Sequence, residues 1–310
     1  MSDSDNPYRG PKRRGSSQET PVRHPERPAQ PPRPRFPERA PPHERERAPR
    51  AAPSHEAERS DVRPPRRQDE SRLYGFNACR AAFAARPQDL RKVYLSEARI
   101  AALRDVLAWC VKHRLGYRVV EETDLDKLAA STHHEGVIFD MLRREPPTLP
   151  ALLSALPAGP QLLLWLDGVG NPHNLGAVLR SAAHFGVAGV LLPPGTALTL
   201  SGAAYRVAEG GAEAVPVLAL DDTREALHAL RAAGFRLAAT LPRDAPSIYT
   251  TSLPARVVLV FGAEASGIQQ ALVEACELKL GIPGTGRVES LNIANAVGVM
   301  LGEYWRQHRT

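Results

Sequence analysis

The chain has 310 residues, and its 40 lysines and arginines against 34 aspartates and glutamates give a formal net charge of +6. Three dispersed cysteines are too few for a disulfide framework or a zinc site, so we expect no bound metal. The sequence has no run of about 18 apolar residues and no apolar leader after Met1, which argues against membrane insertion and secretion. We therefore expect a cytoplasmic protein with no membrane partner.

The first 70 residues differ in composition from the rest of the chain. They hold 15 of the 29 prolines and, with 16 basic against 12 acidic side chains, +4 of the net charge. Large apolar side chains are few, so burial cannot offset the entropy of ordering, and we expect residues 1–70 to form a disordered tail. Its arginines suit contact with nucleic-acid phosphates, but a solvated linker or a proline-rich docking segment for a partner explains the same composition.

Alternating helical and strand-like segments predict a small α/β domain over residues 71–142. Ordered chain is expected to begin near Tyr74, which leads into an alanine-rich helix. A linker over residues 143–160 follows, because Pro146, Pro147 and Pro150 interrupt the pattern. The predicted elements of the small domain are helix Ala78–Ala85, strand Lys92–Leu95, helix Ile100–His113, strand Tyr117–Val120, helix Asp124–Ala130 and strand Gly136–Asp140.

A second, larger α/β domain is predicted over residues 161–310. Strand-like runs alternate with helical segments, a pattern typical of a mostly parallel sheet that helices cover on both faces. A long amphipathic helix, from about Ser290 to Gln307, is expected to pack on more than its own sheet. The predicted strands are Leu162–Asp167, Gly189–Pro193, Ala214–Leu218, Arg236–Thr240, Val257–Phe261 and Leu278–Ile282.

Three polar turns follow predicted strands of the second domain, at residues 167–174, 262–267 and 282–292. Because the carboxyl ends of parallel strands meet at one edge of a sheet, we expect the turns to face one crevice. Their glycines allow the backbone to approach a ligand, and backbone N–H and C=O groups can then bind it without charged side chains. This favours a neutral or cationic nucleoside-like ligand over a triphosphate.

The common phosphate-binding fingerprints do not match these turns. The residues after Gly267 are Ile268 and Gln269 instead of the Lys and Ser/Thr of a P-loop. The turn Gly168-Val169-Gly170 lacks the third glycine of a dinucleotide-binding motif. A P-loop nucleotidase and a nucleotide-binding oxidoreductase are therefore disfavoured.

In this order, the three turns resemble the motifs of the SpoU, or TrmH-like, family of RNA ribose 2′-O-methyltransferases in the SPOUT class. Residues 72–142 are also similar to the family's small substrate-binding domain, so the resemblance covers the chain apart from its tail and linker. The matching residues are Asn174, Gly176 and Arg180 in the first motif, Gly262, Glu264 and Gly267 in the second, and Ile282, Pro283, Ser290, Leu291 and Asn292 in the third.

The resemblance implies a fold that general topology rules would reject. The family threads its carboxyl-terminal segment through a loop to form a trefoil knot. It binds S-adenosylmethionine in the knotted loops and works as a homodimer with the last helix in the interface. The expected fold class is therefore α/β, with a SPOUT-type parallel sheet and a C-terminal trefoil knot, preceded by a small α/β substrate-binding domain and a disordered tail.

Five residues are expected to hold the cofactor by this resemblance. The adenosine part of S-adenosylmethionine is expected to contact the backbone of Gly262, Ile282 and Leu291. Thr240 and Leu241 are expected to line the same pocket. Ile282 and Leu291 also fit ordinary core positions, and the two interpretations are compatible because the cofactor contacts use the main chain.

The resemblance makes Arg180 the catalytic residue for attack of a ribose 2′-hydroxyl on the cofactor's methyl carbon. A guanidinium is a poor base, since its pKa lies above about 12. Arg180 is therefore expected either to hold the RNA phosphate and the 2′-oxygen or to accept the proton itself, unless it is an ordinary surface arginine. Asn174 is expected to orient Arg180 or the ribose, or to cap a helix that starts near Leu175.

Three further residues are candidates for the catalytic site. Glu264 is expected to bridge the motif loops or to contact substrate across the dimer, unless it is a solvated loop carboxylate. Ser290 and Asn292 are expected to hydrogen-bond the substrate, although Ser290 also suits the N-cap of the last helix. Two departures from the family's pattern leave the substrate class open: no Val-Ser follows Asn292, and Glu209 stands where members often carry serine.

A function of another class is an RNA-binding assembly factor that keeps this fold with little or no methyl transfer. Arg180 and Asn292 argue against it, because both residues of the family's motifs are intact. We therefore expect an S-adenosylmethionine-dependent enzyme that methylates a ribose 2′-hydroxyl in tRNA or rRNA.

Overall fold

A computed structural model of the chain describes residues 70–308. The tail predicted over residues 1–70 lies outside that part, except for Glu70, which begins the first strand. Within residues 70–308, no helix is long and apolar enough to span a membrane. The same residues contain no group of three or more His, Cys, Asp or Glu side chains placed to hold a metal ion.

The four-stranded unit, residues 70–142, is built on a mixed sheet. Its elements are β1 Glu70–Tyr74, α1 Phe76–Ala85, β2 Leu90–Leu95, α2 Arg104–His113, β3 Gly116–Val119, α3 Glu122–Ala129 and β4 Val137–Leu142. The strand order is β1-β4-β2-β3, with β4 antiparallel to both neighbours and β2 parallel to β3. Apolar side chains that include Leu73, Val93 and Phe139 form its core.

Two elements of this unit differ from the sequence-based prediction. Strand β1 is not predicted, because only Leu73 and Tyr74 are buried in it and its pairing partner β4 is distant in sequence. The helix predicted over Ile100–His113 is α-helical only from Arg104, since a 3₁₀ turn at Ala101–Leu103 precedes it.

The six-stranded unit, residues 149–308, contains the predicted parallel sheet. Its strands are β5 Gln161–Asp167, β6 Gly189–Leu192, β7 Val217–Ala219, β8 Arg236–Thr240, β9 Arg256–Gly262 and β10 Leu278–Leu280. They follow the order β10-β8-β9-β5-β6-β7, and every neighbouring pair is parallel. All residues of the central strand β5 are buried, as expected for a strand with helices on both faces.

Helices pack on both faces of this sheet. They are α4 Leu149–Ala155, α5 Pro172–Phe185, α6 Gly202–Ala208, α7 Gly211–Ala214, α8 Thr223–Ala232, α9 Gln270–Ala275 and α10 Ile293–His308. On one face, α5 and α10 bury Val178 and Val297 against Leu164 of β5. On the other face, α4, α8 and α9 pack against Leu163 and Trp165.

Three elements of the six-stranded unit begin or end at residues other than those predicted. The linker predicted over residues 143–160 contains α4, which the Thr148 hydroxyl caps and whose leucines pack on the sheet. The strand predicted from Ala214 begins only at Val217, because α7 occupies the preceding residues. The last helix begins at Ile293 rather than near Ser290.

The two units are joined through α6 and α7. A Cβ on Gly202 of α6 would lie 2.5 Å from Cε1 of Tyr74, so only glycine allows this close approach to β1. Nε and Nη2 of Arg86 each donate a hydrogen bond of 2.9 Å to the Glu213 carboxylate of α7. Both side chains of this ion pair are at most 6% exposed. The four-stranded unit is thus fixed against the helices that lie beside α5.

Candidate functional site

A crevice opens at the carboxyl ends of the central strands β5 and β9. These strands are neighbours, but α5 after β5 and α9 after β9 lie on opposite faces of the sheet. The two loops therefore diverge, which is the arrangement that creates ligand sites in open α/β sheets. We name residues 168–174, which extend into the first turn of α5, loop A. Residues 263–269 are loop B and residues 281–292 are loop C. The residues lining the crevice are Gly168, Val169, Gly170, Asn171, Asn174, Ala263, Glu264 and Ile293.

Three predicted residues from three different segments meet beside this crevice. Nδ2 of Asn174, on α5, donates to Oε1 of Glu264 in loop B at 3.2 Å. Nδ2 of Asn292 in loop C donates to the same Oε1 at 3.1 Å and lies 3.3 Å from Oδ1 of Asn174. We call these residues the Asn–Glu–Asn cluster. It fixes the three loops to one another through neutral amides and one carboxylate.

The helix caps next to the cluster differ from those predicted. Asn171 caps α5, because its Oδ1 accepts a hydrogen bond of 2.9 Å from the His173 amide and Pro172 is the first helical residue. The prediction that Asn174 caps a helix starting near Leu175 is therefore wrong. Asn174 lies inside the first turn of α5, so its side chain is available to the cluster.

The residue that caps α10 is also a member of the cluster. Oδ1 of Asn292 accepts a hydrogen bond of 2.9 Å from the Ala294 amide at the start of α10. The prediction of Ser290 as the N-cap is wrong, since Ser290 lies in exposed loop C before the helix begins. The sequence Ser-Leu-Asn offers two capping residues, and periodicity alone does not distinguish them.

Loop B is a tight turn with little freedom. A Cβ on Gly262 would lie 2.1 Å from the carbonyl carbon of Gly267, so no larger residue fits at the end of β9. Ala263 and Gly267 exchange two backbone hydrogen bonds, of 3.1 and 2.9 Å. The buried carboxylate of Asp167 accepts bonds from the backbone amide of Gln269 at 2.7 Å and from its side chain at 3.2 Å. Loop B is thus fixed by hydrogen bonds within the chain itself.

Asp167 has a part in the site that the sequence did not assign to it. The sequence predicts no role for Asp167 beyond its position in the first polar turn. In the structure its side chain is 2% exposed and accepts a hydrogen bond from the far end of loop B. A carboxylate at the end of a wholly apolar buried strand is the signal that could have identified it, because such a group needs hydrogen-bond donors.

The residues predicted to hold the cofactor follow three adjacent strands. Thr240 ends β8 and donates its hydroxyl to the Val260 carbonyl at 2.8 Å, and the Leu241 amide donates to the Leu280 carbonyl at 2.8 Å. Gly262 ends β9, and half-buried Ile282 follows β10 and packs against the core. Leu291 lies in loop C with its side chain exposed.

Arg180 lies apart from the Asn–Glu–Asn cluster of its own chain. Its side chain is 61% exposed, and Nη1 lies 3.2 Å from Oε1 of Glu209, at the end of α6. Arg180 and Asn174 are six residues apart on α5, which corresponds to about 120° round the helix. Asn174 therefore bonds to Glu264 and Asn292, and the predicted contact from Asn174 to Arg180 is not present in the described residues.

The three cysteines are unsuited to covalent catalysis. Burial raises the pKa of the Cys276 thiol to about 12 and also raises the pKa of Cys79 and of Cys110. A thiolate is the nucleophilic form of cysteine, so burial suppresses its reactivity near neutral pH. The polar side chains in and beside the crevice are instead amides and the Glu264 carboxylate.

Comparison with known proteins gives two family matches that divide the chain in the same way as its fold. Residues 161–302 match the SpoU rRNA Methylase family, and residues 72–147 match a family described as RNA 2′-O ribose methyltransferase substrate binding. The described sheets β5–β10 and β1–β4 lie largely within these two ranges, respectively.

Individual relatives cover most of the chain. It is 40% identical over 250 residues to the uncharacterized tRNA/rRNA methyltransferase YfiF of Escherichia coli O157:H7, over 80% of this chain and 72% of the relative. It is 34% identical to the 23S rRNA (guanosine-2′-O-)-methyltransferase RlmB of Nitrosomonas europaea, over 76% of this chain and 91% of the relative. The crystal structure of an AdoMet-bound rRNA methyltransferase from Sinorhizobium meliloti is 25% identical, with a TM-score of 0.64, over 76% of this chain and 87% of that one.

Proposed function

The chain belongs to the SpoU rRNA methylase family, and we propose that its crevice is where a methyl group passes from S-adenosylmethionine to a ribose 2′-hydroxyl of RNA. The observation that carries this proposal is the Asn–Glu–Asn cluster. Its members come from the three motifs, are far apart in sequence, and meet at the switch point of the sheet. The cluster therefore links the motifs to a place where a ligand can bind.

The chemistry of the crevice fits S-adenosylmethionine. When bound, this cofactor supplies an electrophilic methyl group on a positively charged sulfur. Glu264 is the charged residue among the described lining residues, and the lining includes no lysine or arginine. A carboxylate without competing cations favours a cationic ligand and disfavours a phosphate. The tight backbone of loop B also offers a preformed wall for an adenosine group.

The cofactor-binding residues we propose lie at the carboxyl ends of β8, β9 and β10 and in loop C, and none of them is among the described residues that line the crevice. The backbone of Gly262, Ile282 and Leu291 would hold the adenosine, with Thr240 and Leu241 on the same side. Gly262 supports the assignment because the backbone of Gly267 and Ile268 lies where a side chain would otherwise project, which allows loop B to close tightly at the end of β9. Ile282 combines this role with packing against the core, as its half-buried side chain allows.

Arg180 is the residue we propose to contact the RNA. Its exposed guanidinium has five donors, and the ion pair with Glu209 occupies one nitrogen. The remaining donors suit a phosphate and the 2′-oxygen on which negative charge develops as the hydroxyl loses its proton. Asn174, Glu264 and Asn292 would fix the loops around the reacting groups, and exposed Ser290 would contact RNA from loop C.

A trefoil knot is the topology we propose for the C-terminal segment. β10 lies at the edge of the sheet, yet loop C returns from it to the central strands, where Asn292 meets loops A and B. The loop after β8 is also bonded to loop C, because Ile248 donates to the Gly281 carbonyl and Gly281 donates to that of Pro246. A loop that encloses the returning chain is the arrangement a knot requires.

A homodimer through α10 is the assembly we propose. This helix packs on α5, and its Trp305 is 40% exposed near Phe185, at a ring distance of 6.3 Å. Partly exposed aromatic side chains on a helix are typical of protein interfaces.

We propose a guanosine in ribosomal RNA as the first substrate to test, since a relative is named for that reaction. A cytoplasmic location follows from such a substrate.

The proposal is tested by mapping ribose 2′-O-methylation across total RNA from cells with and without this protein. Wild type and Arg180→Ala are added back separately. We expect one site to lose its methyl group on deletion and to regain it only with wild type. If no site changes while the purified protein binds S-adenosylmethionine, the assembly-factor function is favoured instead.

A further inference from the structure

The carboxylate of Glu209 lies between Arg180 and the four-stranded unit. Its Oε1 is 3.2 Å from Nη1 of Arg180, and its Oε2 accepts a hydrogen bond of 3.3 Å from Nδ2 of Asn77 on α1. We propose that Glu209 is a positioning residue that sets the direction of the Arg180 guanidinium and couples it to the four-stranded unit through Asn77. This inference rests on the proposed function, because it takes Arg180 as the residue that contacts RNA.

The turn that carries Glu209 is held closely from two sides. A Cβ on Gly210 would lie 2.8 Å from Cβ of Ala81 on α1. A Cβ on Gly211 would lie 2.5 Å from the Leu179 carbonyl oxygen on α5. The turn is therefore wedged between the helix that carries Asn77 and the helix that carries Arg180. The backbone therefore cannot shift towards either helix, and this holds the Cα of Glu209 within reach of both partners.

Glu209 ends α6 in the left-handed conformation that Arg114 and Ala130 also adopt where α2 and α3 end. It has φ 46° and ψ 44°, in the left-handed region that favours glycine. Glycine would remove the strain at this position but would also remove both contacts of the carboxylate. The two contacts of the carboxylate therefore carry the proposal, and the backbone conformation makes glycine a replacement that the turn accepts.

The chemical effect we infer is on the rate of methyl transfer. A long exposed arginine samples many rotamers, and a carboxylate beside one nitrogen restricts them while the other donors face solvent. Glu209 also brings negative charge close to the RNA, so it does not add to RNA affinity. Its loss should therefore lower the rate without weakening the binding of RNA or S-adenosylmethionine.

The test compares Glu209→Gly, Glu209→Gln and Asn77→Ala with Glu225→Gln, a control on exposed α8 at the other face of the sheet. Single-turnover transfer from labelled S-adenosylmethionine is measured on ribosomal RNA from cells lacking the protein. We expect Glu209→Gly to slow transfer roughly 10-fold, with a smaller loss for Glu209→Gln, which keeps hydrogen-bonding groups, and for Asn77→Ala. The control should transfer at the wild-type rate.

Melting temperature and S-adenosylmethionine affinity separate positioning from a merely structural role. Glu209→Gly should melt at or above the wild-type temperature, because it relieves backbone strain, and should bind cofactor normally. A wild-type rate for Glu209→Gly, or a rate loss that only follows a lower melting temperature, would overturn the inference.

Arg180→Ala distinguishes the two proposals: if it retains full activity, the role proposed for Arg180 fails. If Arg180→Ala is inactive while Glu209→Gly is fully active, only the role of Glu209 fails.

Discussion

At the scale of single residues, Asn292 uses both polar atoms of its side chain. Oδ1 caps α10 by accepting from the Ala294 amide, while Nδ2 donates to Glu264 and approaches Asn174. Capping needs an acceptor, which serine, aspartate or threonine also supplies. The cluster needs a donor that reaches two oxygens at once, which those residues lack. Stability and activity should therefore depend on different atoms of the same side chain.

Asn292→Ser is the substitution that separates these two contributions. The serine hydroxyl should keep the cap, so the free energy of unfolding should fall by less than about 0.5 kcal/mol. Methyl transfer should fall roughly 10-fold or more, because loops A, B and C lose a shared contact. Denaturant unfolding and single-turnover assays measure the two effects, and Asn292→Ala should lose about 1 kcal/mol in addition. A serine variant with wild-type activity would remove the cluster from the mechanism.

Glu303 on α10 gives the structure a pH-dependent contribution to stability. Hydrogen bonds from Arg306, and then from Gln307, lower the pKa of this carboxyl from 4.5 to about 2. A lowered folded-state pKa stabilises the protein fully above the unfolded-state value, and that stabilisation is lost as the pH falls towards the folded-state value. The contribution is therefore present near neutral pH and disappears between about pH 4.5 and 2.

Glu303→Gln tests this contribution to stability. Near neutral pH the variant should unfold more easily by about 1 kcal/mol, a figure discounted because the partner Arg306 is exposed to solvent. The difference from wild type should shrink as the pH falls below about 4.5. Chemical denaturation at several pH values gives both curves. A difference that stays constant with pH would assign the effect of the substitution to packing instead.

At the scale of elements, the sequence predicts what is repeated locally and misses what depends on distant partners. The strand Leu162–Asp167 is predictable because its residues are apolar up to Asp167, where a polar turn begins. The observed strand β5 occupies nearly the same residues. β1 was missed because half of it is polar and only pairing with β4 makes it a strand. The parallel topology predicts that the three polar turns meet at one edge of the sheet. It does not predict which side chains in those turns form hydrogen bonds with one another.

The ion pair between α1 and α7 was likewise beyond prediction, and it supports the junction of the two units. Arg86 and Glu213 are buried, and a third hydrogen bond joins Nη1 of Arg86 to the Leu142 carbonyl at 2.6 Å. Their separation in sequence leaves no periodic signal. Removing Glu213 would leave the buried Arg86 guanidinium with one carboxylate partner, Asp89, at 3.3 Å, which is still more costly than losing an exposed pair.

Glu213→Gln should therefore destabilise the protein by about 2 kcal/mol, less than a fully unpaired buried charge would cost, because Asp89 still faces Arg86. The matched control is Asp105→Asn, which removes the exposed ion pair with Arg80 and should cost less than about 1 kcal/mol. Urea unfolding of both variants measures the difference. Equal effects for the two substitutions would show that the buried pair does not hold α1 against α7.

At the scale of the whole molecule, one chain does not bring all of its proposed site residues together. The Asn–Glu–Asn cluster faces the crevice, while Arg180 lies at another angle on α5 and bonds to Glu209. In the proposed homodimer, the cluster of one chain and the Arg180 of the other can form a complete site. Such a site takes its cluster from one chain and its Arg180 from the other, so it can be tested by combining a chain defective in one with a chain defective in the other.

Coexpression of Arg180→Ala with Asn292→Ser, under two different affinity tags, provides that test. A heterodimer would then contain one site with both residues intact and one site with neither, so it should transfer methyl groups at about half the wild-type rate per dimer. Each variant alone should be much less active, because both of its sites are damaged. Coexpression allows the two variants to assemble with each other as they are synthesised. Heterodimers verified by mass but no more active than either parent would require Arg180 and the cluster to act within one chain, and Arg180 would then have to leave Glu209 during the reaction.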